Sequence, residues 1–336
     1  MSVWFNRLIK VGWLTGTSMA DIGSHSIHVQ SKKWWDRSAL GMPTKEGLTL
    51  GPVDILYCHL HRGMKLPSSN WFEDILEIRP TIISECLVDQ ALRSPGNKVV
   101  WYDHFDDISH EHSKNSTALR WDSNKHPSKF SPDAEVRWFH SRTEFDASDL
   151  LNWSDEVNQS GRIAEVMVVD DDLDVVCYRV KEIDPSGVFD STRHDKENSI
   201  KIDSGTSWSK GEQLNNQHPS FLNGVLLDEH HSDLPVYSEG SMVYEDLLER
   251  RLFVKSGFKY GVRWRAYENG SYDGHAPWLV CHPDAIPTNW ISACQGSRLA
   301  SGVSKTMLLP IIDGTRIRYL AVLRPPSNSR WNSVRR

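Results

Sequence analysis

The sequence predicts a mixed α/β (α+β) fold built as two tandem related units, and three observations carry that prediction. The chain has 336 residues, more than the roughly 100–200 of one ordinary domain, so more than one core is expected. A pattern of apolar run, turn and apolar run occurs twice, once in each half. Within the second half, helical and strand periodicities alternate over short distances.

Composition sets the class. Hydrophobic residues make up 39% and charged residues 24%, the balance of a globular chain rather than a disordered one. Residues 1–14 are apolar but interrupted by Asn6, Arg7 and Lys10, which fits neither a signal sequence nor a membrane span, so a cytoplasmic protein is expected. Cys58, Cys86, Cys177, Cys281 and Cys294 are odd in number and contain no CxxC pair, against both a disulfide framework and a zinc knuckle.

The repeat is read from two hairpins. Ser160-Gly161 precedes Val166-Met167-Val168-Val169, an acidic turn, and the strand Val175 to Val180; Ser301-Gly302 precedes Met307-Leu308-Leu309, Ile311-Ile312, the turn Asp313-Gly314 and a strand from Ile317 to Leu323. Duplication is the simplest account, and chance likeness of two hairpins is the alternative. Two polar stretches punctuate the pattern. Residues 103–133 read as a long surface excursion, and residues 184–220 as the connection between halves. The expected division is 1–187 as the first repeat, 188–218 as linker and 219–330 as the second repeat.

In the second half, Ser241 is placed to cap a helix with Tyr244, Leu247, Leu248 and Leu252 at helical spacing. From Lys259 the sequence alternates, with Tyr260, Val262, Trp264 and Ala266 on one face and Lys259, Arg263, Arg265 and Tyr267 on the other. A strand over 276–281 follows, then a short helix opened by Thr288, then a strand headed by Lys305.

Charge is unevenly placed. From residue 251 to 336 there are 13 Lys and Arg against 4 Asp and Glu, a local +9 that leaves −15 for the rest of a chain whose net charge is −6. A basic segment of this kind suits an RNA backbone, and a solvated basic face is the bland alternative.

Three blocks carry chemistry. They are Val254-Lys255-Ser256-Gly257-Phe258-Lys259-Tyr260-Gly261-Val262-Arg263-Trp264-Arg265-Ala266-Tyr267, then Gly274-His275-Ala276-Pro277-Trp278-Leu279-Val280, then Arg298-Leu299-Ala300-Ser301-Gly302-Val303-Ser304-Lys305-Thr306. In order and spacing they resemble the conserved blocks of archaeal tRNA-splicing endonucleases (tRNA-intron lyases) of the two-unit, fused, homodimeric type. Ser304 stands where the family usually has arginine, and Ser301 where a histidine is frequent. The resemblance implies that each unit is an N-terminal α/β subdomain plus a nuclease-like C-terminal subdomain with a small central β-sheet.

It also implies excision of introns from precursor tRNA at bulge-helix-bulge motifs. The local 2′-hydroxyl attacks the scissile phosphate and leaves a 2′,3′-cyclic phosphate and a 5′-hydroxyl. Tyr267, His275 and Lys305 take the catalytic roles of base, acid and electrostatic stabiliser, with no metal and no cofactor. The residue types suit those roles. A phenol titrates near pH 10, so a phenolate at pH 7 costs about 4 kcal/mol unless cations such as Arg263, Arg265 and Lys305 stabilise it. An imidazole can hand a proton to the leaving oxygen, and an ammonium can meet charge building on the phosphorane. A non-catalytic RNA-binding subunit is the alternative, and such a subunit should lack at least one of the three residues.

The same resemblance implies two arginines gripping a flipped base. Arg298 matches the first; the second falls on the strand after Asp313, with Arg316 and Arg318 both in range. Aligned without gaps, Ser301 onto Ser160, the first half carries Ala164 at the position of Lys305 and no histidine near Asp133. Its turn Asp170-Asp171-Asp172-Leu173-Asp174 is acidic. By resemblance that turn is a dimer contact through Asp170, Asp171, Asp172 and Asp174; a solvated hairpin tip or a cation site is the alternative. The expected partners are precursor tRNA and a second copy, with neither DNA nor a membrane. Cys58-His59-Leu60-His61, the group His104, His110 and His112, and His230-His231 lack recognised metal-ligand spacing and are read as ordinary histidines.

Overall fold

The computed structural model describes residues 25–190, 199–203, 206–211, 220–227, 238–269 and 275–326. Residues 1–14 and His230-His231 lie outside them. The chain opens with β1 (Ile27–Val29), α1 (Lys33–Ser38), β2 (Met42–Pro43) and β3 (Leu48–Leu50), which form a three-stranded sheet in the order β1-β3-β2. Three helices follow, α2 (Pro52–Arg62), α3 (Trp71–Ile78) and α4 (Ile82–Arg93). Then come β4 (Lys98–Trp101), β5 (Ala118–Trp121), β6 (Ala134–His140), α5 (Ala147–Gln159), β7 (Ile163–Val169) and β8 (Val175–Ile183).

Three short strands, β9 (Ser199–Asp203), β10 (Thr206–Lys210) and β11 (Gly224–Leu227), make a separate antiparallel sheet. The second half contains α6 (Glu239–Glu249), β12 (Phe253–Ser256), β13 (Trp264–Tyr267), β14 (Trp278–Val280), α7 (Trp290–Gly302), β15 (Thr306–Asp313) and β16 (Arg316–Leu323). Among the described residues no helix is long and apolar enough to cross a membrane.

One ten-stranded sheet in the order β12-β13-β14-β15-β16-β8-β7-β6-β5-β4 runs through both halves. Its pairings read alike from either end: antiparallel, antiparallel, parallel, antiparallel, meeting at the antiparallel pair β8–β16. The parallel pairs need a crossover, and a helix supplies it each time: α5 between β6 and β7, α7 between β14 and β15. Both helices are capped by a side-chain oxygen. Asp146 accepts from the Asp149 amide and Asn289 from the Ser292 amide.

The two crossover helices share one core. Leu150, Trp153 and Val157 of α5 and Trp290, Ala293 and Ala300 of α7 bury against Val166, Tyr178, Leu309 and Leu320 of the sheet. Phe139 of β6 stacks on Trp290 with ring centroids 4.9 Å apart. The Trp290 and Ile291 amides, at the start of α7 and without intrahelical partners, donate to the carbonyls of Thr143 and Ser141 in the first half. Smaller cores close the two ends, one under α2, α3 and α4 and one under α6.

Several sequence expectations are corrected. The stretch 103–133 is not only a surface excursion: it contains β5, whose Ala118, Leu119 and Trp121 are fully buried. Arg120 hid that strand, because its charge is paired with Glu165 inside the fold rather than solvated. The stretch read as connection and linker carries β9 and β10. The cap of α6 is Ser238, whose hydroxyl accepts from the Ser241 amide, three residues earlier than expected. The strand ending at Tyr267 begins at Trp264 rather than Lys259, because Phe258–Tyr260 form a 3-10 turn closed by Gly261 at φ +69°.

A buried charged cluster ties α2, α4 and the turn after β4 together. Asp54 accepts from His104 at 2.7 Å and from the Gly51 amide, while Asp89 accepts from Arg93 and from the Trp101 indole. Burial pushes the Asp54 pKa up, but the hydrogen bond and charge of His104, with Arg93 beyond, outweigh it and hold Asp54 below its usual value. Burial pulls His104 down, and the bond and charge of Asp54, with Asp103 and Asp107, leave it raised. A raised histidine contributes stability that is complete below its unfolded value of about 6.5 and is lost as pH rises through the folded value. Urea midpoints should therefore fall from pH 6 to pH 9 in the parent and fall less in His104→Gln. Equal declines in the two proteins would place the titrating group elsewhere.

Candidate active site

The site is built at one end of the second half of the sheet. Gly257 allows the chain to turn there, since a Cβ at that position would lie 2.5 Å from Val262 Cγ2 and 2.8 Å from the Val262 carbonyl oxygen. After the turn, Trp264 and Ala266 point into the core while Arg265 and Tyr267 are half-buried, as alternation requires. Ala266 lies opposite Trp278 of β14, and Trp278 opposite Thr306 of β15. Tyr267, the last residue of β13, thus lies beside the lead-in to β14, where His275 sits three residues before Trp278. Lys305 immediately precedes β15 at the same end. With strands about 4.8 Å apart, the backbones of Tyr267 and Lys305 are on the order of 10 Å from each other, a span that one phosphodiester can fill.

Each of the three has defined surroundings. His275 is exposed. The Tyr267 ring packs 5.7 Å from the Phe253 ring, with the Arg265 guanidinium 5.9 Å from its centroid. Lys305 is half-buried; its ammonium donates to the Ala276 carbonyl at 2.6 Å and stands 5.4 Å from the centroid of the Tyr260 ring. The end of α7 delivers Lys305 to this place. Ser304 adopts the left-handed conformation at φ +55°, and the Lys305 amide reaches back to the Ala300 carbonyl at 2.9 Å.

The other predicted residues divide. Arg265 binds the Ser256 carbonyl through Nε, and Arg263 lies over the Trp264 ring at 5.8 Å. Arg298 is exposed on α7, and Arg316 is exposed at the head of β16, opposite Asp313 at the end of β15 remote from Lys305. Arg318 is not exposed: its guanidinium pairs with Glu182 at 2.7 Å and with Asp155, both from the first half. Those ion pairs join the halves, and they engage the guanidinium that the sequence offered for gripping a base. No sequence signal revealed this, because its two partners lie 163 and 136 positions earlier.

Sequence reading also missed Tyr260, which alternation assigned to a buried strand face. The glycines on either side of its turn, Gly257 and Gly261, were the available signal.

Strand register corrects the comparison of the halves. Trp278 pairs with Thr306 as Ala134 pairs with Ile163, and the Thr306 and Ile163 amides donate to Pro277 and Asp133. Lys305 therefore corresponds to Arg162, not to Ala164. The ungapped alignment missed this by two residues because it matched two Ser-Gly pairs at different places: Ser301-Gly302 are the last two residues of α7, whereas Ser160-Gly161 follow the end of α5, so that Gly161 at φ +75° is the equivalent of Ser304 at φ +55°. By the same register Tyr267 corresponds to Trp121 and His275 to Ser131. Trp121 is fully buried with its indole donating to the Phe130 carbonyl, and Arg162 is paired with Glu135 at 2.7 Å.

The acidic turn joins β7 and β8 at an exposed tip. Asp170 folds it by accepting from the Asp172 and Asp174 amides, and Asp171 is paired with Arg142 beside His140. Asp172 is exposed at the tip. Of the described histidines read as ordinary, His59 bonds the Met64 carbonyl, His104 the Asp54 carboxylate and His110 the Pro127 carbonyl.

Residues 239–319 match a family model described as the tRNA intron endonuclease catalytic C-terminal domain. That segment is similar to this domain. It begins at the first residue of α6, ends inside β16, and contains Tyr267, His275 and Lys305. Among curated proteins, the chain is similar to the tRNA-splicing endonuclease of Thermoplasma volcanium, 28% identical over 170 residues, or 46% of this chain and 53% of that protein. The tRNA-splicing endonuclease of Picrophilus torridus is 29% identical over 190 residues, 52% of this chain and 60% of that protein. That of Methanopyrus kandleri is 37% identical over 92 residues, 26% of this chain and 50% of that protein. The chain thus spans about half the length of the curated relatives it matches.

Proposed function

We propose that this chain excises introns from precursor tRNA. The observation that carries the proposal is the placement of a tyrosine, a histidine and a lysine at the same end of three adjacent strands, within the segment that matches the endonuclease domain. Tyr267 takes the proton of the 2′-hydroxyl as its oxygen bonds to phosphorus. Lys305 faces the negative charge that gathers on the phosphorane oxygens. The bond from phosphorus to the 5′-oxygen breaks, and His275 protonates that oxygen. The products are a 2′,3′-cyclic phosphate and a 5′-hydroxyl. Base, acid and cation are all side chains, so the scheme uses no metal.

Arg298 and Arg316, exposed on the same domain, are the RNA contacts of this reading, with Arg263 and Arg265 adding positive charge beside Tyr267. Residues 1–187 serve structure and assembly, 188–218 link, and 219–330 catalyse. The mirrored strand order supports two related units, and Trp121, Ser131 and Arg162 support a first unit without the triad. Two copies associate through the turn carrying Asp170, Asp171, Asp172 and Asp174, which presents negative charge to the basic second half of the partner copy. Cytoplasmic placement follows from the substrate.

The test incubates purified protein with end-labelled, intron-containing precursor tRNA in excess chelator. Cleavage at both intron boundaries, with 2′,3′-cyclic phosphate ends, is expected. Binding without cleavage would assign the chain to a non-catalytic RNA-binding role, and cleavage abolished by chelator would overturn the metal-independent scheme.

A further inference from the structure

We infer that Tyr260 is a positioning residue for Lys305: its ring face and the Ala276 carbonyl together fix the ammonium at the scissile phosphate. The inference rests on the cleavage reading above and adds to it a residue outside the base, acid and cation roles. A lysine side chain has four rotatable bonds, and one standing at a strand end sweeps a wide volume unless something holds its tip. Here two contacts do so. The ammonium donates to the Ala276 carbonyl at 2.6 Å and stands 5.4 Å from the centroid of the Tyr260 ring, within the range of a cation over an aromatic face.

The arrangement leaves chemistry free. An ammonium has three N–H donors, and the one given to Ala276 leaves two for phosphate oxygens. Ala276 follows His275 in the chain, so this bond also ties the head of β15 to the segment that carries the acid. Tyr260 is itself fixed. Its amide bonds the Gly257 carbonyl at 2.8 Å, its turn is closed by Gly261, and its ring packs against the core shared by α5 and α7. A rigid platform of this kind reduces the ordering that Lys305 must undergo as charge develops.

Two variants and one spectroscopic measurement test it. Tyr260→Phe keeps the ring face and should cleave precursor tRNA within about twofold of the parent. Tyr260→Leu keeps apolar packing but removes the face; kcat should fall about tenfold with KM nearly constant, the size expected for one cation–ring contact. A purely structural role would instead move KM, the melting temperature and both variants together. Independently of activity, the Lys305 ε-methylene protons, assigned with Lys305→Arg in lysine-labelled protein, should lie upfield of the other lysines in the parent and in Tyr260→Phe. Parent-like cleavage by Tyr260→Leu, or ordinary ε-methylene shifts in the parent, would overturn the inference. A parent that does not cut RNA overturns the cleavage reading instead, and the resonance positions then decide the lysine's placement alone. If Tyr260→Leu does not fold, the same resonances decide.

Discussion

Replacing His275 with alanine is expected to slow cleavage at both intron boundaries by about 10²- to 10⁴-fold, the range for loss of a positioned general acid, while precursor tRNA still binds. The size follows from the leaving group. A ribose 5′-alkoxide is a poor leaving group, and in the proposed mechanism the exposed imidazole at the lead-in to β14 protonates it. Two outcomes separate an acid from a residue that only holds the fold. Imidazole in the buffer should restore part of the rate, because position 275 is open to solvent. A substrate with sulfur in place of the 5′-oxygen leaves as a thiolate without protonation, so His275→Ala should cut it nearly as fast as the parent does. Lys305→Ala should lose about 10²- to 10³-fold on both substrates, since charge on the phosphorane develops whichever atom departs. The double variant should lose less than the product of the two, as residues acting on one transition state are not additive. Equal losses on oxygen and sulfur substrates in His275→Ala would remove the acid assignment.

How much of this was legible depended on whether the deciding partner was close in sequence. The hairpins β7–β8 and β15–β16 were readable because their apolar runs and turns are local. The strand position of Tyr267 was readable from the alternation Trp264, Arg265, Ala266, Tyr267 that the structure keeps. The junction of the halves was not readable. It depends on β8 pairing with β16, Val180 opposite Val322, and two apolar strands carry no local mark of which edge each will meet. The ion pairs of Arg318 were hidden for the same reason: on its own strand it is an outward arginine, and only the fold brings Asp155 and Glu182 to it. Arg162 was hidden by an alignment that matched a Ser-Gly pair inside one crossover helix to a Ser-Gly pair beyond the end of the other, and Trp121 by an arginine next to it that is buried. In each case a long-range contact overrode the local pattern, and the local pattern held wherever its residues pair with near neighbours.

Arg120 leads to the second large effect. Its Nε and Nη2 bond Glu165 at 2.6 and 3.0 Å, Glu165 is fully buried, and Arg179 on the neighbouring strand reaches the same carboxylate at 3.5 Å. Burial would lower the Arg120 pKa, but the charge and hydrogen bond of Glu165 outweigh it and raise it, so the guanidinium stays charged. Glu165→Ala strips its buried compensating charge from a guanidinium that is only 3% exposed; Asp122, at 2.7 Å, remains close and is itself exposed. The expected cost is about 3–5 kcal/mol, the range for breaking a buried pair by removing one partner. It should appear as a lower urea midpoint with the slope unchanged. Removing both charges tests the cause. The double variant Arg120→Met, Glu165→Leu, which fills the space with apolar side chains, should recover most of the loss, because the penalty comes from the stranded cation rather than from the missing attraction. Glu165 lies on β7, several strands from Tyr267 and Lys305. Below the unfolding transition, cleavage by Glu165→Ala should therefore match the parent per folded molecule. A double variant as unstable as Glu165→Ala would instead mean that the pair itself, through its geometry across β5, β6 and β7, holds those strands in register.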